Sequence, residues 1–242
     1  MFAKSLHSSN RWIAAFLLGL SMAGAMMPAD AGVIVGATRV IYRGQDKEAS
    51  FFIKNTDSVP FVVQAWVDAT EGRRQFILTP PLSRLDPGRQ NTLRVFHGRE
   101  PLPTDRESMF WLNVKEIPEA PAKPNVLQLA VHTRIKLFYR PVELKGEASD
   151  AAAALQWKVC PDKNGNQSLR IHNSTPYYVT FGGLQANGQR TEDLDKLEYV
   201  PPYGDAQVQL PSGLAGKSVQ VTYTTINDFG GTSSPATVLV SP

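Results

Sequence analysis

The residue types that most often carry chemistry are sparse in this chain, and their spacing argues against catalysis. His97, His132 and His172 are the histidines outside the opening thirty residues. None stands in H-E-x-x-H or another metal-ligand spacing, and each is flanked by strand-forming residues, so they read as satisfied or exposed strand histidines. Asp162-Lys163-Asn164-Gly165-Asn166 begins like a calcium loop. It fails at the sixth position, Gln167 where glycine is needed, and at the twelfth, Asn173 where a bidentate glutamate is needed. Asn164-Gly165 between two strand runs is a hairpin signal instead. The nucleophile elbow G-x-S-x-G, the phosphate-binding P-loop and G-x-G-x-x-G are all missing from the sequence. Cys160 is the single cysteine, so neither an internal disulfide nor a cysteine-rich zinc site can form. It reads as a buried, inert strand thiol; a reactive one would need a neighbouring His or Lys. These residues predict no enzyme activity, no metal and no cofactor.

The chain that must position any site has 242 residues, 42% hydrophobic and 19% charged, with 18 Gly and 18 Pro. That length fits one large domain or two smaller ones, each able to bury a core. The aliphatic content excludes wholesale disorder. A net charge of +3, evenly spread and without RNP, zinc-finger or Arg-rich signatures, excludes a nucleic-acid protein. A mildly basic balance favours an acidic group as ligand.

Lys4 and Arg11 precede an apolar run from Trp12 to Leu20, then small residues and Ala29-Asp30-Ala31. This is the pattern of a secretory signal peptide over residues 1–31, cleaved after Ala31. The rival, a membrane anchor, needs about 20 apolar residues, and this run is shorter and interrupted by Gly and Ser. The expected mature protein starts at Gly32, is exported and soluble, and loses Lys4, Arg11 and Asp30, leaving a net charge near +2.

Beyond Gly32 the hydrophobic period is two. Strands are predicted over Val33–Tyr42, Ala49–Ile53, Phe61–Val67, Phe76–Thr79, Asn91–Phe96, Met109–Lys115 and a long Asn125–Tyr139. Pro141–Asp150 is polar and strand-poor and reads as a linker. Strand signals resume at Leu155–Cys160, Ser168–Asn173, Tyr177–Leu184, Ala206–Leu210, Val219–Ile226 and Thr237–Val240. No segment longer than ten residues has a convincing helical face. The expectation is all-β: two sandwiches in tandem, residues 32–144 and 145–242.

Asn125–Tyr139 is the unusual element. Leu127, Leu129 and Val131 alternate with Gln128, Ala130 and His132; Ile135, Leu137 and Tyr139 alternate with Arg134, Lys136 and Phe138. Fifteen extended residues reach roughly 50 Å, far beyond a mean strand. One reading is a long last strand whose apolar residues all face its own core. The other starts from the Pro-rich run Glu119–Pro124, which would leave the start of the strand on an edge. Leu127–Val131 carries neither the charge nor the proline that blunts natural edges. An unguarded apolar edge is either an aggregation hazard or a device for pairing with a strand of another chain.

Here the sequence resembles the PapD-like periplasmic chaperones of the chaperone–usher pathway, which assemble pili. The resemblance rests on Pro103-Thr104-Asp105-Arg106-Glu107-Ser108-Met109-Phe110-Trp111-Leu112-Asn113, Asn125-Val126-Leu127-Gln128-Leu129, Ile135-Lys136-Leu137-Phe138-Tyr139-Arg140-Pro141, Thr175-Pro176-Tyr177-Tyr178-Val179-Thr180 and Ile226-Asn227-Asp228-Phe229-Gly230-Gly231. They stand in family order across nearly the whole mature chain.

The resemblance implies two immunoglobulin-like β-sandwich domains in an L-shaped arrangement with a cleft between them. It implies that Arg39, in Thr38-Arg39-Val40, and Lys136 hold the C-terminal carboxylate of a pilus subunit, where charge-assisted donors are needed. It implies that Leu127, Leu129 and Val131 complete the subunit's unfinished sandwich by donor-strand complementation, without nucleotide, before delivery to the outer-membrane usher. Glu107, Arg140 and Asp228 match positions that form a charge network between the domains. The short loop from Ile117 to Pro124, with no cysteine pair around it, resembles the short-loop subgroup, and the match fades beyond Gly231. Weak self-association through the apolar edge is expected. The alternatives are a secreted two-domain binding module or adhesin, for which Trp66, Trp111 and Trp157 look like strand residues rather than platforms, and a periplasmic hydrolase, opposed by the missing nucleophile–base pair.

Overall fold

Alternating burial sets every sheet. In β3 (Ala49–Asn55) Phe51, Ile53 and Asn55 are buried while Ser50, Phe52 and Lys54 are exposed, the period-two pattern of a strand with one wet face. The computed structural model describes residues 32–120, 127–161, 167–190, 192–211 and 217–241. The expected leader at 1–31, the calcium-like stretch 162–166, and Asn125 and Val126 of the long-strand prediction lie outside the described residues.

Among the described residues the first half has nine strands. β1 (Val33–Val35), β3, β7 (Gln90–His97) and β5 (Phe76–Thr79) form one sheet in the order β1-β3-β7-β5. β2 (Arg39–Arg43), β9 (His132–Arg140), β8 (Ser108–Pro118), β4 (Phe61–Val67) and β6 (Leu82–Leu85) form the facing sheet in that order. Between them lies a core that includes Ile53, Leu93, Leu112 and Leu137. The second half pairs a three-stranded sheet, β10 (Leu155–Pro161), β11 (Gln167–Asn173) and β14 (Asp205–Gln209), with a four-stranded one. The latter runs β13 (Tyr199–Val200), β12 (Val179–Ala186), β15 (Val219–Thr225), β16 (Ala236–Val240). Its core, around Leu169, Ile171, Leu184 and Val221, is a separate cluster. α1 (Glu192–Asp195) is a single turn. β10 and β11 are antiparallel with Pro161 opposite Gln167, the hairpin pairing that Asn164-Gly165 predicts.

Four expectations need correction. Val33–Tyr42 is two strands rather than one, and they belong to different sheets: β1 pairs antiparallel with β3, β2 parallel with β9. The break follows Val35, where the Gly36 N–H donates to the Phe52 carbonyl at 2.8 Å. A Cβ at position 36 would overlap the Phe52 ring, so only glycine lets the chain pass so close. Second, the long strand starts at His132 rather than Asn125. Residues 127–131 are not in a strand, and Leu127 and Leu129 are 86% and 72% exposed. β8 pairs with β9 in register only from His132, and the one further backbone bond runs from the Glu116 N–H to the Val131 carbonyl at 3.0 Å. Residues 127–130 belong to no ladder, and an unpaired strand is not stable alone. Third, Cys160 is half-buried, opposite Ser168, because its side chain lies on the wetter face of β10. Fourth, the Tyr177–Leu184 strand begins at Val179, since Tyr177 belongs to a turn held by Asn173.

That turn has a counterpart in the other half. Asn173 Nδ2 donates to the carbonyls of Tyr177 at 2.7 Å and Pro201 at 3.1 Å, and its Oδ1 accepts from the Thr175 N–H at 3.0 Å and hydroxyl at 2.7 Å. Asn55 Nδ2 donates to the carbonyls of Val59 at 2.7 Å and Leu85 at 3.0 Å, and its Oδ1 accepts from the Asp57 N–H at 2.9 Å. Both amides are fully buried and complete backbone groups that a turn would otherwise orphan. Replacing Asn173 with Ala strands several of these groups. The expected loss is about 2–4 kcal/mol, read from urea unfolding, with a similar loss for Asn55→Ala. A change under about 0.5 kcal/mol would show that the turns hold without the amides.

Candidate functional site

The strand switch after Val35 aligns β2 beside β9, and in that parallel register Arg39 stands directly opposite Lys136. Laterally paired residues project from the same face of a sheet, so the two cations sit side by side. The flanking pair Val40–Leu137 points the other way and is buried in the core. β9 is paired on both sides at this level, with Trp111 of β8 opposite Lys136.

The two cations line a cleft of about 560 Å³ with Thr38, Trp111 and Arg134, and with Thr180, Glu198 and Ile226 from the second half. Arg39 donates from one terminal nitrogen to the Ile226 carbonyl at 3.0 Å, and its guanidinium carbon is 5.6 Å from the centre of the Phe138 ring. Its Nε is buried with no partner. Burial lowers its pKa, partly offset by the charges of Asp228 and Glu107. Lys136 is 13% exposed and its Nζ is 2.9 Å from Glu198 Oε2. Trp111 and Tyr199 frame the ammonium at 5.5 and 5.4 Å, within cation–π range. The arrangement is a pair of fixed cations with one unsatisfied donor, able to hold an anion with several oxygens.

A second cavity of about 310 Å³ lies beside it, shared by Arg39, Glu107, Phe138, Arg140 and Asp228. Arg140, the last residue of β9, is the hub. Its Nε donates to Glu107 Oε1 at 2.7 Å, and its two terminal nitrogens grip the Asp228 carboxylate at 2.6 and 2.9 Å. Glu107 Oε2 accepts the Tyr178 N–H at 2.8 Å, so the network ties the end of β9 and the start of β8 to two segments of the second half. Asp228 is presented by a loop that Asn227 folds on itself: its Oδ1 accepts the N–H groups of Phe229 and Gly231 at 3.0 and 2.9 Å. Gly230, with φ +83, lets this loop lie against Thr38. Burial pushes the Glu107 pKa up, against the pull of Arg140 and the Tyr178 N–H. Burial also opposes the charge on Arg140, but hydrogen bonds and charges from Asp228 and Glu107 outweigh it and raise its pKa.

The structure thus brings together Arg39 with Lys136, and Glu107 with Arg140 and Asp228. Leu127, Leu129 and Val131 are exposed in the stretch just before β9 and line neither cavity. Three neighbours of the Arg39–Lys136 pair were not legible in the sequence. Glu198 and Tyr199 come from a stretch with no motif, and Trp111 reads only as a sheet-face residue. Of the histidines, His132 bonds to Asn113 Oδ1 at 2.9 Å and His172 to Asp205 Oδ1 at 3.1 Å.

Removing one member of a buried ion pair costs about 3–5 kcal/mol, because it leaves the other charge unpaired. Glu107 is almost fully buried, so Arg140→Ala is expected to lose that much in denaturant unfolding. Glu107→Gln, which keeps acceptors and removes a desolvated charge, is expected to lose less than half as much. Equal losses would show that the network acts through packing rather than charge.

Comparison with known proteins bears on the same residues. Residues 32–145 match the family described as pili and flagellar-assembly chaperone, PapD N-terminal domain, and residues 150–237 match the pili assembly chaperone PapD, C-terminal domain. The chaperone protein LpfB of Salmonella typhimurium is 43% identical over 206 residues, covering 82% of this chain and 85% of the relative. The chaperone protein FimC of Escherichia coli is 42% identical over 224 residues, 88% of each. The crystal structure of the YadV chaperone superposes with a TM-score of 0.73 at 39% identity, covering 87% of this chain and all of the other. The SafB chaperone, solved in complex with the Salmonella enterica SafA pilin, gives 0.74 at 31% identity over 86% and 96%. Two matched domains spanning the described chain, with relatives above 40% identity, place this protein in the PapD family of pilus-assembly chaperones.

Proposed function

We propose that this chaperone acts in the periplasm, after cleavage of a leader at residues 1–31, and captures pilus subunits by lending them a strand before delivery to the usher. Arg39 and Lys136 anchor the subunit's C-terminal carboxylate. Leu127, Leu129 and Val131 fill the subunit's open groove, and no bond is made or broken. The observation that carries this reading is the buried, unpartnered Nε of Arg39 beside Lys136 in one register of β2 and β9, an incomplete anion site at the foot of an unpaired strand edge.

The energetics favour an anchor-led mechanism. Burying three aliphatic side chains contributes roughly 5–9 kcal/mol. Ordering the five residues 127–131, which are not in a strand in the free chain, costs about 1–2 kcal/mol each. These terms nearly cancel, which leaves backbone pairing and the carboxylate contact to supply the affinity. Register follows from the anchor, because a one-residue slip turns Leu127, Leu129 and Val131 to the wrong face.

Binding is measured with a subunit-derived C-terminal peptide, free or amidated, and by co-purification with the subunit from the periplasm. Amidation, Arg39→Ala or Lys136→Ala is expected to weaken binding by about 10-fold or more, the worth of a charged hydrogen bond, with the thermal transition retained. Glu198→Gln is expected to strengthen it, since the incoming carboxylate displaces Glu198 from Lys136. Indifference to amidation and to both cations overturns the anchor and favours a general binding module. A lost thermal transition makes Lys136 structural.

The free edge at 127–135 is also open to a second copy of the chain. Weak, concentration-dependent dimerisation by sedimentation is expected, and Leu129→Lys is expected to suppress it. A monomer at every concentration counts against an available edge.

A further inference from the structure

Glu116 lies on β8 with the parity of Leu112 and Val114, so its carboxylate points into the sandwich, and it is only 6% exposed. Its Oε2 accepts the Val33 N–H at 2.8 Å and its Oε1 the Val131 N–H at 3.3 Å. The Glu116 N–H in turn donates to the Val131 carbonyl at 3.0 Å. Among the described residues no Lys, Arg or His makes an ion pair with Glu116. A buried carboxylate held by neutral donors alone is an expensive arrangement, and the anchor-led mechanism does not use it.

The cation it lacks is one that processing would create. A Cβ built on Gly32 falls 2.5 and 2.9 Å from the two Glu116 oxygens. The Gly32 nitrogen hangs from the same α-carbon, so it lies within about 5 Å of them by bond geometry. In the precursor that nitrogen is a neutral amide. Hydrolysis of the Ala31–Gly32 peptide bond by water leaves a carboxyl on Ala31 and an α-ammonium on Gly32. We infer that Glu116 is a positioning residue whose carboxylate pairs with the α-ammonium of Gly32 once the leader is removed. This rests on cleavage after Ala31. The ion pair fixes two segments through one carboxylate: β1 at the edge of its sheet, and Val131 where the exposed apolar segment enters β9. Maturation thereby completes the end of the sandwich from which that segment is offered.

The test is a double-mutant cycle on the mature protein secreted with its own leader. Intact mass first establishes whether the chain begins at Gly32. A second form carries one extra serine before Gly32, released by a site-specific protease, which moves the ammonium one residue away. Both are made with Glu116 and with Glu116→Gln. The extension is expected to lower the melting temperature by at least about 3 °C with Glu116 present, a resolvable change for a chain this size, and by less than 1 °C with Gln. Subunit-peptide affinity is expected to fall by about 3-fold with the first change only, a difference of well under one power of ten. Equal effects of the extension on both backgrounds overturn the inference while leaving the leader reading intact. A different start, such as residue 30 or 34, overturns it together with that reading. If Glu116→Gln does not fold, ¹⁵N NMR titration of the α-ammonium in the unextended protein decides: a pKa above the ordinary value of about 8 supports the pair, and one at or below it overturns it.

Discussion

Everything at the cleft depends on one strand changing sheets. Had the chain continued straight from Val33 to Arg43, Arg39 would have stayed beside β3. Because it crosses at Gly36, the second part of the strand runs parallel to β9, and the register then sets Arg39 against Lys136, Ile41 against Phe138 and Arg43 against Arg140. A parallel neighbour is unusual in a fold otherwise made of antiparallel pairs, and it has a specific effect here. It places two cations of separate strands on one face while their neighbours, Val40 and Leu137, bury the opposite face. The cost of holding cations in a partly dry cleft is met by core packing directly behind them. The aromatic faces of Trp111, Tyr199 and Phe138 then stand around them at cation–π distance.

The second constraint is that this face must meet the second half of the chain at a fixed angle. Arg140 does so with a two-pronged hold on Asp228 and a third bond to Glu107. Such a buried network is weak evidence for stability, because desolvation consumes much of the Coulombic gain. Geometry is the stronger argument. A planar guanidinium with three of its nitrogens engaged admits one orientation of its partners, and Thr180, Glu198 and Ile226 of the second half line the cleft around Arg39 and Lys136.

Much of this was legible in the sequence. Alternation alone located most strands and the division into two sandwiches, because each strand has one wet face and a period of two. The charged residues of the cleft became legible only through their motif context, since a lone strand Arg or Lys has no distinguishing pattern. The illegible parts have physical reasons. The sheet switch after Val35 is a tertiary event, written only in Gly36 and the ring of Phe52 lying across it. Alternation continues through Leu127–Val131 as if a strand were there, but pairing makes strands, and only at Val131, through Glu116, does the segment meet the backbone of β8. Glu198 reaches Lys136 from 62 positions away, beyond any local signal. Glu116 was visible in principle, as a charge at a core parity within an otherwise regular strand.

In the proposed capture mechanism the exposed segment and the Arg39–Lys136 anchor need opposite physical properties, and they have them. The anchor is rigid: β9 is paired on both sides at Lys136, and Arg39 is held by Ile226 and Phe138. The segment at 127–131 is apolar, exposed and outside any strand. A site rigid at both ends would hold a partner too tightly to release it in a later exchange of strands. One flexible at both would pay ordering entropy at every residue and bind poorly. In the proposed mechanism, with a fixed charge contact at the foot and a segment that orders only against a partner, the contact at Arg39 and Lys136 would set the register first. The apolar segment would then zip outward from Val131, its gains and ordering costs nearly balanced. Near-balance along the segment would allow a competing strand to replace it residue by residue, with only the proposed carboxylate contact left to break at the end.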